Sequence, residues 1–249
     1  MKRFFARQPT LDFSHYDALG RELGAHYQSN SPFPHIVIDD FLPRRFAEKI
    51  LRRFPPVDSP VWLDWEKSDL VNQPRKQGIG HISRLLGSDP FLLEVLSEFN
   101  SYTMVNFLEQ LTGLDQLLID HTCLGGGYHQ TLPGGKLNVH SDFTHHRNLG
   151  VYRKINLLLF LNKDWQPEYG GALQLWNKDM TVCEREVQPE MNRCVIFNTD
   201  VHSFHGHPVP LACPEPMTRK SVALYYYANY PDPGGEGKRP TTWKDAQQN

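Results

Sequence analysis

Residues 134–142 read GGKLNVHSD, two glycines followed by a short run in which apolar and polar residues alternate. Alternation with period two is typical of a half-buried β-strand, and we expect a strand over residues 136–142. Residues i and i+2 of a strand share a face. The strand therefore places His140 and Asp142 side by side, where an imidazole and a carboxylate can converge on one ion.

The chain before this strand differs in pattern from the chain around and after it. Upstream, apolar residues recur with helical spacing, and we expect helices over 15–29, 44–54 and 89–111, with a short buried strand over 35–42. From residue 117 onward, runs separated by Gly, Pro and Asn predict strands over 117–124, 136–142, 153–161, 172–177, 181–187, 193–198 and 219–228. Helices followed by many short strands indicate the α+β fold class.

The strands are numerous and short enough to form a double-stranded β-helix, the jelly-roll or cupin-like core. We expect this core over about residues 117–229, with N-terminal supporting helices over 1–115, so that 1–229 form a single domain. Residues 230–249 are polar and rich in Pro and Gly, and we expect a loose C-terminal tail.

The composition excludes several classes of protein. The 249 residues carry 26 Lys and Arg against 28 Asp and Glu, a net charge of −2, so the chain lacks the basic character of a general nucleic-acid binder. No apolar stretch approaches the length of a membrane span, and the N-terminus lacks the apolar segment of a secretory signal. The four irregularly spaced cysteines are expected to be reduced thiols in a cytoplasmic protein. The oligomeric state stays open.

A His-x-Asp motif alone is a weak signal, because His15-Tyr16-Asp17 has the same letters. That copy lies in a helical pattern, where residues i and i+2 point apart, and we discard it as a site. His140 and Asp142 gain weight from a later stretch that offers three histidines as a third ligand, His202, His205 and His207. Two histidines and one carboxylate are the facial triad of non-haem Fe(II) oxygenases, and a zinc site is the chemical competitor.

Arg219 opens the last predicted strand and shares a face with Ser221. A guanidinium and a hydroxyl that point the same way are suited to binding a carboxylate, because the Arg fork pairs with it through two hydrogen bonds. An iron site and this Arg together could hold a 2-oxo acid.

The stretch from Gly125 to Tyr227 resembles the prolyl 4-hydroxylase-like branch of the Fe(II)/2-oxoglutarate-dependent dioxygenases. The matching pieces are Gly135-Lys136-Leu137, His140-Ser141-Asp142, Leu161-Asn162-Lys163-Asp164-Trp165, Gly170-Gly171-Ala172-Leu173, His205-Gly206-His207-Pro208 and Arg219-Lys220-Ser221. The resemblance implies a jelly-roll core, iron at His140, Asp142 and His205, and 2-oxoglutarate at Arg219. It favours His205 over His202 and His207, and it implies O2 as a further substrate, with ascorbate as a candidate stimulant.

Two positions qualify the resemblance. The oxygen-sensing prolyl hydroxylases have a Tyr that hydrogen-bonds the cosubstrate where this chain has Phe160. That contact is either lost or supplied elsewhere, and Ser221 and Tyr128 are the candidates to supply it. Related halogenases replace the metal-binding Asp with Gly or Ala, whereas Asp142 is present here, which argues against halogenation.

Weaker candidates lie near the predicted metal strand. His129 and Gln130 precede it, and a loop at the mouth of the site follows it; both are candidate substrate contacts, the loop through His145, His146 and Arg147. The resulting hypothesis is a dioxygenase that hydroxylates an unactivated C–H bond of a small molecule (an amino acid or natural-product intermediate) or of a prolyl or peptidyl substrate. Succinate and CO2 are the expected coproducts. The alternative is a cupin-like metal-binding protein, an isomerase or a sensor, which is not an oxygenase.

Overall fold

The computed structural model describes residues 10–64, 73–231 and 238–244, and four α-helices and two antiparallel sheets dominate this part of the chain. The helices are α1 (Phe13–Ser29), α2 (Arg44–Arg52), α3 (Pro90–Phe99) and α4 (Tyr102–Thr112). The strands are β1 (His35–Ile38), β2 (Leu63–Asp64), β3 (Lys76–Gly78), β4 (Leu118–Ile119), β5 (Gly127–Thr131), β6 (Leu137–Ser141), β7 (His145–His146), β8 (Val151–Phe160), β9 (Leu173–Trp176), β10 (Cys183–Val187), β11 (Cys194–Asn198), β12 (His205–His207), β13 (Arg219–Ala228) and β14 (Thr242–Trp243).

The larger sheet has the strand order β1-β11-β8-β13-β5-β3-β2, with β4 added beside β13 and β7 beside β8. The smaller sheet has the order β10-β9-β12-β6-β14. Every described strand pair is antiparallel. This two-sheet arrangement is the predicted jelly roll, and the α+β fold class is confirmed.

The helices begin where the sequence offers caps. Asp12 accepts a hydrogen bond from the His15 backbone N–H at 2.8 Å, and Asp89 caps α3 with Pro90 as its first residue. The expected single helix over 89–111 is two helices, because Ser101 caps a new one. Gly113 ends α4 in the left-handed conformation, with φ of 68°.

The main hydrophobic core lies between the helices and one face of the larger sheet, so the other face is left for the site. Helices α1 and α4 approach closely at Gly20, where an added Cβ would lie 2.7 Å from the Phe107 carbonyl oxygen. Buried tyrosines tie the helices to the sheet, since the Tyr226 hydroxyl donates to the Phe99 carbonyl at 2.7 Å. The helical layer therefore packs on the face of the larger sheet that lies opposite the site.

Several expected boundaries were wrong. Residues 117–124 contain only the two-residue β4, whereas β5 and β12 were not expected. Strands β1, β2 and β3 come from the region expected to be helical support, and they extend the larger sheet. Part of the expected tail, 238–244, returns to pair with β6; residues 232–237 and 245–249 lie outside the described residues.

No helix among the described residues combines the length and apolar character needed to cross a bilayer. The four cysteines are unpaired, as expected for reduced thiols.

Candidate active site

His140, Asp142 and His205 come together at the open end of the smaller sheet. Strands β6 and β12 pair so that His140 and His205 are direct cross-strand partners. Asp142 follows β6 immediately, and its carboxylate lies 3.6 Å from His140 Nε2 and 3.5 Å from His205 Nε2. One ligand atom from each of the three lies within 4.8 Å of the other two. The structure therefore brings together the three residues that the sequence analysis named as candidate metal ligands.

Backbone carbonyls fix which nitrogen of each imidazole faces this cluster. His140 Nδ1 lies 2.9 Å from the Asn138 carbonyl oxygen, and His205 Nδ1 lies 2.9 Å from that of Ser203. A carbonyl can only accept, so both Nδ1 atoms carry the proton and donate it. Both Nε2 atoms are then bare lone pairs directed at the Asp142 carboxylate, a donor set that fits a divalent cation such as Fe(II).

Two residues of β8 hold the Asp142 carboxylate in place. Arg153 Nη2 lies 2.8 Å from Oδ2, and Asn156 Nδ2 donates to the same oxygen at 3.1 Å. Burial raises the pKa of Asp142, but the charge of Arg153 lowers it. The net pKa lies well below the usual range, so the carboxylate is ionised and ready to bind a cation.

Arg153 is a site residue that the sequence analysis missed. Only 1% of it is exposed, and its guanidinium lies over the rings of Tyr225 (3.4 Å to the centroid) and Phe143 (4.7 Å). The one available signal was a charged residue inside the otherwise apolar strand 153–161, since a buried Arg needs a partner.

Arg219 lies across the same cavity without an anionic partner among the described residues. Its Nε donates to the Gly171 carbonyl at 2.6 Å, and its guanidinium lies 4.8 Å from the Phe160 ring centroid. Burial lowers the pKa of Arg219 to about 9. Gly171, with φ of 75°, is required here, because an added Cβ would lie 2.9 Å from Arg219 Cδ. A buried, unpaired guanidinium fits the carboxylate of a ligand.

A cavity of about 820 Å³ connects the His-Asp-His cluster with Arg219. Its volume lies in the range of small-molecule sites. Ser221 and His129 line its wall, and His145 and Arg147 lie at its rim, so four of the predicted contacts face this space.

Three predicted contacts lie elsewhere and are corrected. The Tyr128 hydroxyl donates to the Leu92 carbonyl at 3.1 Å in the hydrophobic core, so it cannot replace the missing tyrosine hydroxyl. Gln130 faces away from the cavity and bonds Gln77 and Thr218. His146 is fully buried beside Asp120, with 3.3 Å between Nε2 and Oδ2, and serves the loop rather than the mouth of the site.

The two alternative third ligands are separated from the cluster. His202 is exposed in a turn that Asp200 stabilises by accepting from the His202 backbone N–H at 2.7 Å. His207 lines the cavity but stands outside the group of converging ligand atoms.

The C-terminal strap, residues 238–244, forms one wall of the cavity. Strand β14 pairs with β6, opposite Ser141 and His140. The Trp243 indole stacks on the His140 imidazole, with 4.7 Å between ring centroids and 27° between planes. Arg239 and Thr144 exchange two hydrogen bonds that hold the start of the strap.

The buried histidines predict how stability depends on pH. Burial lowers the pKa of His205 to about 4, against the opposing charge of Asp142, and holds those of His129 and His207 well below 6.5. Between pH 4 and pH 6.5 the unfolded chain binds more protons at these histidines than the folded protein does. The free energy of unfolding is therefore at its full value above pH 6.5 and decreases as the pH falls towards 4. For His205 alone, the loss is about 3 kcal/mol.

Urea unfolding of the metal-free protein between pH 4 and 7.5 measures this dependence. A free energy of unfolding that stays constant from pH 7 to pH 5 would contradict it.

Part of the chain that contains the site matches a known protein family. The model of the 2OG-Fe(II) oxygenase superfamily matches residues 126–227, which contain all three cluster residues and Arg219. Curated protein sequences give no significant match.

Solved structures share the fold at low identity. A Trichoplax adhaerens prolyl hydroxylase in complex with a hypoxia inducible factor peptide fragment matches with a TM-score of 0.63 and 18% identity, over 89% of this chain and 94% of that one. HygX from Streptomyces hygroscopicus, with nickel and 2-oxoglutarate bound, gives 0.58 and 12%, over 91% and 98%. The epimerase SnoN from nogalamycin biosynthesis gives 0.53 and 11%, over 85% and 84%. Residues 126–227 therefore resemble the 2OG-Fe(II) oxygenase superfamily in sequence, and the solved structures share the fold of this chain.

Proposed function

We propose that this protein is an Fe(II)- and 2-oxoglutarate-dependent dioxygenase that hydroxylates a C–H bond of a small molecule. The observation that carries the proposal is the pairing of two features in one cavity. His140, Asp142 and His205 present three ligand atoms to one point, and the buried Arg219 faces the same space with no anionic partner in the described part of the chain.

In this proposal, His140, Asp142 and His205 hold Fe(II) and leave its other positions open. Arg219 binds the far carboxylate of 2-oxoglutarate. Ser221 lies on the same face of β13 as Arg219 and lines the same cavity. Phe160 covers the guanidinium in place of a hydroxyl-bearing ring. The cosubstrate therefore relies on Arg219 more than in a site that has a tyrosine there.

The cofactor pair supplies oxidation of an unactivated C–H bond, with O2 consumed and succinate and CO2 as coproducts. The protein orients the metal ligands and limits the access of water to the cavity. Arg153 and Asn156 orient the Asp142 carboxylate, and the two backbone carbonyls orient the imidazoles. Trp243 and the rest of the strap cover the His140 side of the cavity and limit access of water.

The cavity supports a small-molecule substrate. Its volume of about 820 Å³ can hold 2-oxoglutarate together with a second compact molecule. Among structures of this fold, one was solved with a peptide fragment and another with hygromycin B bound, so the fold accommodates both kinds of molecule. The strap forms one wall of the cavity here, and a prolyl or peptidyl substrate is the second candidate.

Anaerobic visible spectroscopy tests the proposal. Metal-free protein is titrated with Fe(II) and then with 2-oxoglutarate, and we expect a charge-transfer band that requires both. His205→Ala is the control, since it removes one ligand, and it should give no band. Bound Fe(II) with no band in the wild-type protein would reject the dioxygenase assignment and favour the cupin-like alternative.

Arg219→Met is expected to weaken 2-oxoglutarate binding in the same titration. Hydrogen bonds to a charged group contribute about 1.5–3 kcal/mol, so the dissociation constant should rise about 10–100-fold. Fe(II) affinity should stay within about twofold, because Arg219 is no metal ligand in this proposal. Arg44→Met, at an exposed helix position, is the control, and equal cosubstrate affinity in both variants would reject the role of Arg219.

A further inference from the structure

Three neighbouring strands build the cavity wall that faces the metal cluster. In the register of β3, β5 and β13, Lys76 lies opposite Thr131, which lies opposite Arg219. Because directly paired residues share a face, Lys76 and Arg219 point into the same cavity from two strands apart. That separation is about 10 Å between backbones.

Lys76 has no use in the proposed chemistry. Among the described residues, no hydrogen bond or ion pair reaches its ammonium group. Burial lowers the pKa of Lys76 to about 8, with the charge of Asp142 opposing that effect and those of Arg219 and Arg153 adding to it. A lysine kept at a cavity wall without an anion carries a desolvation cost that a ligand's negative charge would remove.

His129 lies beside Lys76 with a second unsatisfied group. It is 7% exposed, and its Nε2 is buried without a partner. Burial, together with the positive charge of Lys76, holds the pKa of His129 well below its usual range. A neutral His129 therefore offers an acceptor next to the ammonium group.

The charges of the cavity do not balance once the cosubstrate is in place. Asp142 is the one acidic side chain among the described lining residues, and Arg153 already neutralises it. The far carboxylate of 2-oxoglutarate is assigned to Arg219, and its other end to the metal. Lys76 then remains, among the described residues, a positive charge without a compensating anion in the space left for the substrate.

We propose that Lys76 and His129 form a subsite for an anionic group of the substrate, so that the enzyme acts on a small molecule that carries a carboxylate or a phosphate. The subsite rests on the proposed function, since it fills the part of the cavity that 2-oxoglutarate leaves. Lys76 binds the negative charge, and His129 Nε2 accepts a hydrogen bond from an O–H or N–H next to it.

Isothermal titration calorimetry tests the subsite without turnover. Protein loaded with Ni(II) and saturated with 2-oxoglutarate is titrated with methyl phosphate and, separately, with acetate. We expect millimolar binding of at least one anion, weakened at least about tenfold by Lys76→Met and several-fold by His129→Leu. The better of the two probes indicates whether the substrate carries a phosphate or a carboxylate.

Lys220→Met is the matched control. It removes one positive charge from the same sheet, but Lys220 faces the other side and donates to Thr218 outside the cavity. Its anion binding should equal that of the wild type. Equal anion affinity in Lys76→Met, or no anion binding by the wild type up to about 50 mM, would overturn the proposal.

The 2-oxoglutarate affinity of each variant separates this inference from the proposed function. We expect Lys76→Met to keep it within about twofold. A large loss would show that Lys76 binds the cosubstrate, and the substrate subsite would be rejected while the dioxygenase assignment stands. Failure of the wild-type protein to bind 2-oxoglutarate at all would instead reject the dioxygenase assignment.

Discussion

We expect Asp142→Ala to abolish the Fe(II)-dependent consumption of 2-oxoglutarate that the proposed function predicts. The substitution removes the one carboxylate of the cluster, whose oxygens lie 3.5 and 3.6 Å from the two imidazole nitrogens. Residues that only orient a metal ligand typically contribute 10–100-fold to metal affinity, so loss of the ligand itself should exceed about 100-fold. Equilibrium Fe(II) binding and succinate release measure the effect.

Asp17→Ala is the control for this variant, because it changes the second His-x-Asp motif of the chain. Asp17 lies on α1 and pairs with Arg21 at 3.1 Å on the surface, so its loss should leave Fe(II) binding and turnover unchanged. Circular dichroism must show that Asp142→Ala is folded. A folded Asp142→Ala protein with wild-type Fe(II) affinity would contradict the metal assignment.

We expect Arg153→Met to destabilise the metal-free protein and to make its stability depend on bound metal. The substitution leaves the Asp142 carboxylate buried without its guanidinium partner. Breaking a buried pair on one side costs about 3–5 kcal/mol. For a chain of this size, that corresponds to a fall in Tm of about 10 °C. A bound divalent cation neutralises the same carboxylate, so saturation with Ni(II) should restore much of the loss.

Thermal unfolding with and without Ni(II) measures this dependence. The rise in Tm on adding metal should be larger in Arg153→Met than in the wild type. Arg193→Met is the control, since Arg193 pairs with the exposed Asp39 at 2.6 Å, and such pairs contribute at most about 1 kcal/mol. Equal metal-induced shifts in Arg153→Met and the wild type would show that Arg153 does not neutralise Asp142.

Local spacing was sufficient to predict the centre of the site. His140 and Asp142 lie two residues apart at the end of a strand, and the alternation of side chains alone puts them on one face. Arg219 and Ser221 follow the same rule on β13. These pairs could be found because each depends on one strand and on no knowledge of its neighbours.

It was harder to predict which side chains of a strand face the cavity and which face the core. The sequence places Tyr128, His129 and Gln130 in one stretch and does not indicate which face of the sheet each joins. In the structure, β5 turns His129 to the cavity and buries Tyr128 against α3. A shift of one residue would reverse every side chain, so these positions depend on the register that β3 and β13 impose.

The pairing of strands that are distant in the chain could not be predicted from the sequence either. Lys76 and Trp243 enter the cavity because β3 joins β5 and β14 joins β6, and neither short strand has a pattern of its own. Their neighbours in space are separated from them by tens of residues in the chain. Only the closed sheets determine these contacts.

The direct pairing of His140 with His205 also bears on the order of folding. The two imidazoles belong to strands whose partner positions lie 65 residues apart, and β12 is only three residues long. A metal ion held by both would close a long loop, as a covalent cross-link does, and such a clip can form only after its ends meet. We therefore expect metal loading at the proposed site to follow the pairing of β6 with β12.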